Sequence, residues 1–200
     1  MRIAVISDIH GNRLALDSVL ADIEQAGVEQ VVCLGDAIQG GAQPTETAAR
    51  LRELGCPIVM GNADAWLLTG KETGAEGPPS EQLRAVREWS LAQLSEADRA
   101  FIASFQPTVT IALPGGRSLL CFHGTPRSFD DLIFPDTPEA TIQEWLGGYD
   151  AVALTGGHTH LQQLRRVGDA LFFNPGSVGR AFARHQPEGR FRYDPWAEYA

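Results

Sequence analysis

Five short clusters of potential metal ligands interrupt the apolar runs of this chain: Asp8-Ile9-His10, Gly35-Asp36, Gly61-Asn62-Ala63-Asp64, His123-Gly124 and Gly157-His158-Thr159-His160. Carboxylate, amide and imidazole together suit Mn, Fe, Zn, Co or Ni, with manganese favoured. Asp8 and His10 are one residue apart, as are His158 and His160, so an extended backbone would point each pair to one side. A lone histidine at a strand end is ordinarily a satisfied polar residue, and a lone Gly-Asn is ordinarily a turn. Five such clusters in one chain favour a shared site, in which Asp36 is the carboxylate common to two ions. Two divalent cations against Asp8 and Asp36, with neutral histidine and asparagine, leave a local charge of about +2, because the ions' own charge dominates such a site. Anionic substrates are the natural ligands of that field.

The elements that must position these residues are legible around them. Residues 2–6, 31–34 and 58–60 are short apolar runs, read as buried parallel strands. In open α/β sheets ligands gather beyond the carboxyl ends of such strands, where Asp8, Asp36 and Asn62 stand. Leu16, Val19, Leu20 and Ile23 recur at helical spacing before Gly27, and 44–54 reads as a helix with Gly55 past its end. Residues 108–113 and 117–122 form a hairpin about Pro114-Gly115-Gly116, which delivers His123. A helix follows Thr137-Pro138 and stops near Gly147. The run 151–154 leads to His158 and His160, residues 161–167 and 170–173 pair about Gly168-Asp169, and Asn174-Pro175-Gly176-Ser177-Val178-Gly179 turns back toward the same edge. Residues 65–106 are expected to form a cap-like helical insertion. It carries a capping box at Ser95 and Asp98, and Trp89, Phe101 and Phe105 are expected to pack its helices on the sheet.

Two hundred residues with a net charge of −9 describe one domain of acidic surface. Residues 1–150 carry −11 and residues 151–200 carry +2. That balance disfavours a nucleic-acid polymer as partner. No apolar run approaches a membrane span, and the first is too short for a secretion signal. Cys33, Cys56 and Cys121 are odd in number and lack a C-x-x-C pair, which points to buried free thiols in a reducing cytoplasm. Nucleophilic Ser-His-Asp catalysis lacks its G-x-S-x-G elbow.

In order, the chain shows D-x-H, G-D, G-N-x-D, H-G and G-H-x-H, each after an apolar strand. This series resembles the calcineurin-like metallophosphoesterase superfamily over residues 3–179. The later N-P-G-S-V-G is similar to that of its small bacterial and archaeal phosphodiesterases. The resemblance implies a single α/β domain, layered as a β-sandwich flanked by helices. It also implies two ions, one held by Asp8, His10, Asp36 and His160, the other by Asp36, Asn62, His123 and His158. Asp36, Asn62 and His123 would then stand closest to the chemistry, the in-line attack of a metal-bridging hydroxide on phosphorus. The implied activity is hydrolysis of a small phosphate ester, a diester before a phosphoprotein or dinucleoside polyphosphate. Arg127, Arg180 and Arg184 are candidate phosphate contacts. Relatives that act as assembly scaffolds, such as the retromer subunit, tend to lose ligands; all seven positions are filled here.

Two positions depart from the family pattern. The family often places a histidine, thought to assist the leaving group, where this chain has Ala63. Trp196-Ala197-Glu198-Tyr199-Ala200 resembles the start of a strand that related chains continue.

Overall fold

Alternation along the first strand separates two cores. In β1 (Ile3–Ile6), Ala4 and Ile6 face helices while Val5 faces a second sheet, as the period of two requires. The computed structural model describes residues 1–71, 80–182 and 196–200. Within them β1 pairs in parallel with β2 (Gln30–Cys33), in register from Ile3 opposite Gln30 to Ile6 opposite Cys33. The run 58–60, expected as a third strand, contributes only single bridges, Cys33 to Ile58 and Val59 to Gln106. On the far edge of β1, Val5 and Ala200 exchange both backbone hydrogen bonds, at 2.6 and 3.1 Å. That double exchange is the mark of an antiparallel pair, so the terminal residues extend this sheet.

The second sheet has five strands, β3 (Val109–Leu113), β4 (Arg117–Cys121), β5 (Ala153–Thr155), β6 (Gln163–Val167) and β7 (Ala170–Asn174), ordered β3-β4-β5-β7-β6. β4, β5 and β7 run parallel, and the outer strands turn back as antiparallel hairpins. Val5, Val32, Leu34 and Val59 of the first sheet meet Val109, Ile111, Leu119 and Cys121 of the second in an apolar inter-sheet core. The opposite face of the first sheet is covered by α1 (Arg13–Gln25), α2 (Pro44–Leu54) and α3 (Asn62–Thr69) through Leu16, Leu20, Leu51 and Leu67. On the outer face of the second, Leu120, Leu154 and Phe172 pack with Ile142 and Leu146 of α6 (Glu139–Leu146). The layers are thus helix, sheet, sheet, helix, the helix-flanked sandwich expected from the sequence.

α4 (Glu81–Gln93) and α5 (Glu96–Ala103) pack on α2 and α3. Ser95 and Asp98 form the expected capping box at the start of α5. Phe105 is buried and Phe101 half-buried in the helical core, as expected, whereas Trp89 is 44% exposed. Its helix turns Ser90 inward instead, so Trp89 falls on the outer side. Cys33 and Cys121 are buried and Cys56 half-buried, all three unpaired.

Candidate metal centre

The carboxyl ends of β1, β2, β4 and β5 converge at one end of the inter-sheet core, and each delivers a ligand within two to five residues. The connecting backbone is stitched together there. Asp8 N–H donates to the Gly35 carbonyl at 3.0 Å, His10 N–H to the Asp36 carbonyl at 2.9 Å and Gly157 N–H to the His123 carbonyl at 2.8 Å. Asp8, His10, Asp36, His158 and His160 all have positive φ, between 48° and 67°, and among the described residues they are the non-glycines that do. The extended backbone expected for the i, i+2 pairs is therefore absent. Each of these five sits instead on a left-handed kink that turns the chain sharply past the strand end, a costly conformation that persists where surrounding structure enforces it.

Two clusters result. Asp8, His10 and His160 present ligand atoms within 4.8 Å of one another, as do Asp36, His123 and His158. His10 Nδ1 donates to the Gln39 carbonyl at 2.8 Å, His123 Nδ1 to the Leu34 carbonyl at 2.8 Å and His160 Nδ1 to the Arg180 carbonyl at 2.9 Å. A ring whose Nδ1 proton is committed in this way turns an Nε2 lone pair toward the site, the usual outer-shell device of metal-binding histidine. The Nε2 atoms of His10 and His160 consequently face each other at 3.1 Å. His123 Nε2 faces the Asn62 Oδ1 acceptor at 3.0 Å. Asp8 Oδ1, fully buried and 3.2 Å from His160 Nε2, has no hydrogen-bond partner. Acceptors converging on acceptors call for positive charge between them.

Asp36 faces both clusters. Its Oδ2 lies 3.9 Å from His10 Nε2 and its Oδ1 lies 3.5 Å from His123 Nε2. Oδ1 also accepts from Ala63 N–H at 2.8 Å, in the first turn of α3, whose positive pole favours a carboxylate. Gly61 permits this approach, because a Cβ there would collide with the Asp36 side chain. Gly157 plays the same part for Asp8, whose Oδ2 takes hydrogen bonds from Ser7 Oγ at 2.5 Å and His158 N–H at 3.1 Å.

The electrostatics follow from that packing. Burial alone would raise the carboxyls of Asp8 and Asp36, but the imidazoles beside them, His160 and His123 respectively, hold both below the ordinary range. Burial would lower His123 and His160, yet the charges of Asp36 and Asp8 lift each above the ordinary imidazole value, His123 to about 9. His10 and His158, where burial prevails, fall to about 4. Both raised rings therefore bind a second proton more readily than a free imidazole does, beside the two carboxylates.

The calcineurin-like phosphoesterase superfamily domain matches residues 1–192. The chain belongs to that superfamily. It is 49% identical over 178 residues to the uncharacterized protein MJ0912 of Methanocaldococcus jannaschii, an alignment covering 88% of this chain and 69% of that one. The fold is similar to a metallophosphoesterase of Sphaerobacter thermophilus, with TM-score 0.73 and 25% identity over 100% of this chain and 82% of that one. It is also similar to the hypothetical protein PH1004 of Pyrococcus horikoshii, with TM-score 0.79 and 19% identity over 90% and 81% of the two chains. Divalent metals are usual in this superfamily, and the orphaned Asp8 oxygen and the facing Nε2 pair fit them.

The structure thus gathers Asp8, His10, Asp36, Asn62, His123, His158 and His160. Of the expected phosphate contacts, Arg180 lies beside the first cluster, with its guanidinium on the Gly40 carbonyl and its charge acting on His10. Arg127 is held elsewhere, by Asp131 at 3.3 Å, Glu144 at 3.6 Å and the face of Trp145. Arg184 falls outside the described residues. Sequence reading quoted Asp64 within its cluster but gave it no role; it is a fully buried carboxylate that accepts from Ala37 N–H at 3.1 Å and Ile38 N–H at 3.2 Å. Burial and the nearby Asp36 charge raise its pKa. Its place in G-N-x-D was the available signal. The carbonyls that orient the histidines leave no signal in side-chain type.

Proposed function

We propose that this phosphoesterase-family protein is a dinuclear, manganese-preferring phosphodiesterase acting on a small phosphate ester. The observation that carries this reading is Asp36, whose two oxygens face separate His/Asp clusters. In this proposal Asp8, His10, Asp36 and His160 hold one ion, and Asp36, Asn62, His123 and His158 the other. Bound there, the ions would polarise a phosphoryl oxygen and activate a water.

The chain's own groups do the rest. Asp8 and Asp36 remain ionised through the neutral range, and the carbonyls of Gln39, Leu34 and Arg180 fix three imidazoles with Nε2 inward. The first turn of α3 holds Asp36 and Asn62 in register through the Ala63 N–H. Ala63 itself has no proton to give a leaving group, which favours esters whose leaving group is already stable as an anion. Arg180 stands where a guanidinium could pair with a non-bridging phosphate oxygen. The 65–106 segment is assigned to the same domain as a cap-like insertion. Unpaired cysteines suit a cytoplasmic setting.

The test is hydrolysis of bis-p-nitrophenyl phosphate by protein stripped with chelator and reloaded with Mn²⁺, Zn²⁺ or Mg²⁺. Turnover that returns with manganese, scales to two ions per chain and disappears in Asp36→Asn supports the proposal. Turnover that survives complete metal removal would refute it.

A further inference from the structure

We propose that Ser177 is a positioning residue that locks Asp8 and His160 into one ligand unit, and so sets the affinity of the first ion site selectively. This deepens the two-ion reading above and rests on it.

Ser177 is fully buried. Its Oγ donates to the Asp8 carbonyl at 2.8 Å and accepts from Arg180 N–H at 2.8 Å. The direction is unambiguous, since a backbone N–H can only donate and a carbonyl can only accept. The Arg180 carbonyl in turn accepts from His160 Nδ1 at 2.9 Å, and His160 Nε2 returns to Asp8 Oδ1 at 3.2 Å. Hydrogen bonds thus run without a break from the Asp8 backbone through the Ser177 hydroxyl and the Arg180 peptide to the His160 imidazole, and a cation held by His160 Nε2 and Asp8 Oδ1 would close the ring. Val178 N–H on the Ser7 carbonyl at 2.9 Å and Gly179 N–H on the Asp8 carbonyl at 3.0 Å anchor the same turn. Together, Gly179 N–H and the Ser177 hydroxyl occupy both lone pairs of the Asp8 carbonyl.

Both ligands in this ring hold left-handed backbone, φ 54° at Asp8 and 56° at His160. Such conformations relax when the contacts that enforce them are lost. Without the hydroxyl, the Arg180 N–H loses its partner and the Arg180 carbonyl loses the constraint that aims it at His160. The second cluster is held differently. Leu34 orients His123, and Ala63 N–H holds Asp36, so neither depends on Ser177. The effect falls mainly on the first site, because His158 of the second meets Asp8 only through its backbone N–H on Oδ2 at 3.1 Å. 

The experiment separates the sites genetically. His158→Ala should leave the Asp8-centred site, and His10→Ala the site centred on Asp36 and His123. Chelator-stripped protein of each background is titrated calorimetrically with Mn²⁺, with and without Ser177→Ala. Losing an outer-shell partner typically costs 10–100-fold in metal affinity, and that loss is expected in the His158→Ala background alone. Ser177→Cys keeps a weak donor at similar volume and should fall between. A second readout needs no metal. Nitrogen-15 NMR of the stripped protein, at a pH alkaline enough to leave the ring neutral, should show His160 protonated at Nδ1 in the wild type, with that preference eroded in Ser177→Ala. Equal weakening in both backgrounds, no weakening in either, or an unchanged His160 spectrum would overturn the role of Ser177. A wild type that takes up fewer than two ions would instead sink the two-ion reading beneath it.

Discussion

The Nε2 atoms of His10 and His160 stand 3.1 Å apart, with each ring's Nδ1 proton committed to a backbone carbonyl. Two lone pairs held at that separation repel unless a proton or an ion lies between them, so the site is built for a cation. Divalent ions should therefore stabilise the fold. At 100 times Kd a ligand that binds only the native state adds about 2.7 kcal/mol. Saturating Mn²⁺ should raise the melting temperature by several degrees over chelator-treated protein, and a shift absent in Asp36→Asn ties it to this site.

Ion binding should expel protons. Asp36 lifts His123 to about 9, so that ring carries its second proton at pH 7 in the metal-free protein, and Asp8 shifts His160 in the same direction. Ions and protons compete for the same Nε2 atoms. Apparent Mn²⁺ affinity should rise with pH from about 6.5 toward 9 and then level. Titration calorimetry in buffers of different ionisation enthalpy measures the release, and uptake without any would contradict the raised values.

Left-handed ligands imply a trade between stability and metal binding. His158 has φ 67°, a conformation costing most residues about 1–2 kcal/mol and glycine little. His158→Gly and His158→Ala both delete the ligand, but metal-free His158→Gly should be the more stable by about 1 kcal/mol. Urea denaturation in chelator compares the two. A more stable alanine variant would mean that the kink carries no strain.

Asp98 provides an acid-sensitive contribution remote from the site. Burial would raise its pKa, but Ser95 and Arg52 hold it below the ordinary value. A carboxyl depressed in the folded state contributes stability above its unfolded pKa, and the contribution fades as pH falls through the lower folded value. Removing the capping box with Asp98→Ala should cost about 1 kcal/mol at pH 7. The gap to wild type should narrow below about pH 4. Denaturant midpoints at pH 7 and pH 3 check both the size and the sign.

Ala63 should set the leaving-group dependence. A positioned acid is worth about 10²–10⁴-fold, and none stands at this position on α3. Turnover should fall steeply as leaving-group pKa rises, mild for aryl esters and severe for alkyl ones. Ala63→His should flatten that slope if its imidazole faces the site. A leaving-group series on both proteins at matched metal content decides, and equal slopes with the imidazole seen facing the site would remove position 63 from the chemistry.

Residue type and spacing picked out the clusters that hold the seven candidate ligands, and through them the family resemblance that implied the helix-flanked sandwich, because strand ends and polar clusters are local patterns that recur along the chain. The boundaries of α2, with Pro44 at its start and Gly55 past its end, were legible for the same reason. Tertiary structure decided what depends on backbone path and distance. The strands end in left-handed kinks rather than extended runs, the 58–60 segment makes only bridges, and Trp89 faces outward while Arg127 is spent on Asp131, Glu144 and Trp145. Asp64 and Ser177 stand in motifs that the sequence displays, but it assigned them no role of their own, because their partners are backbone groups of Ala37, Ile38, Asp8 and Arg180. Every residue carries the same amide, so no side-chain pattern announces which carbonyl or N–H a buried oxygen will meet; only folding brings Asp8 to Ser177, 169 residues away.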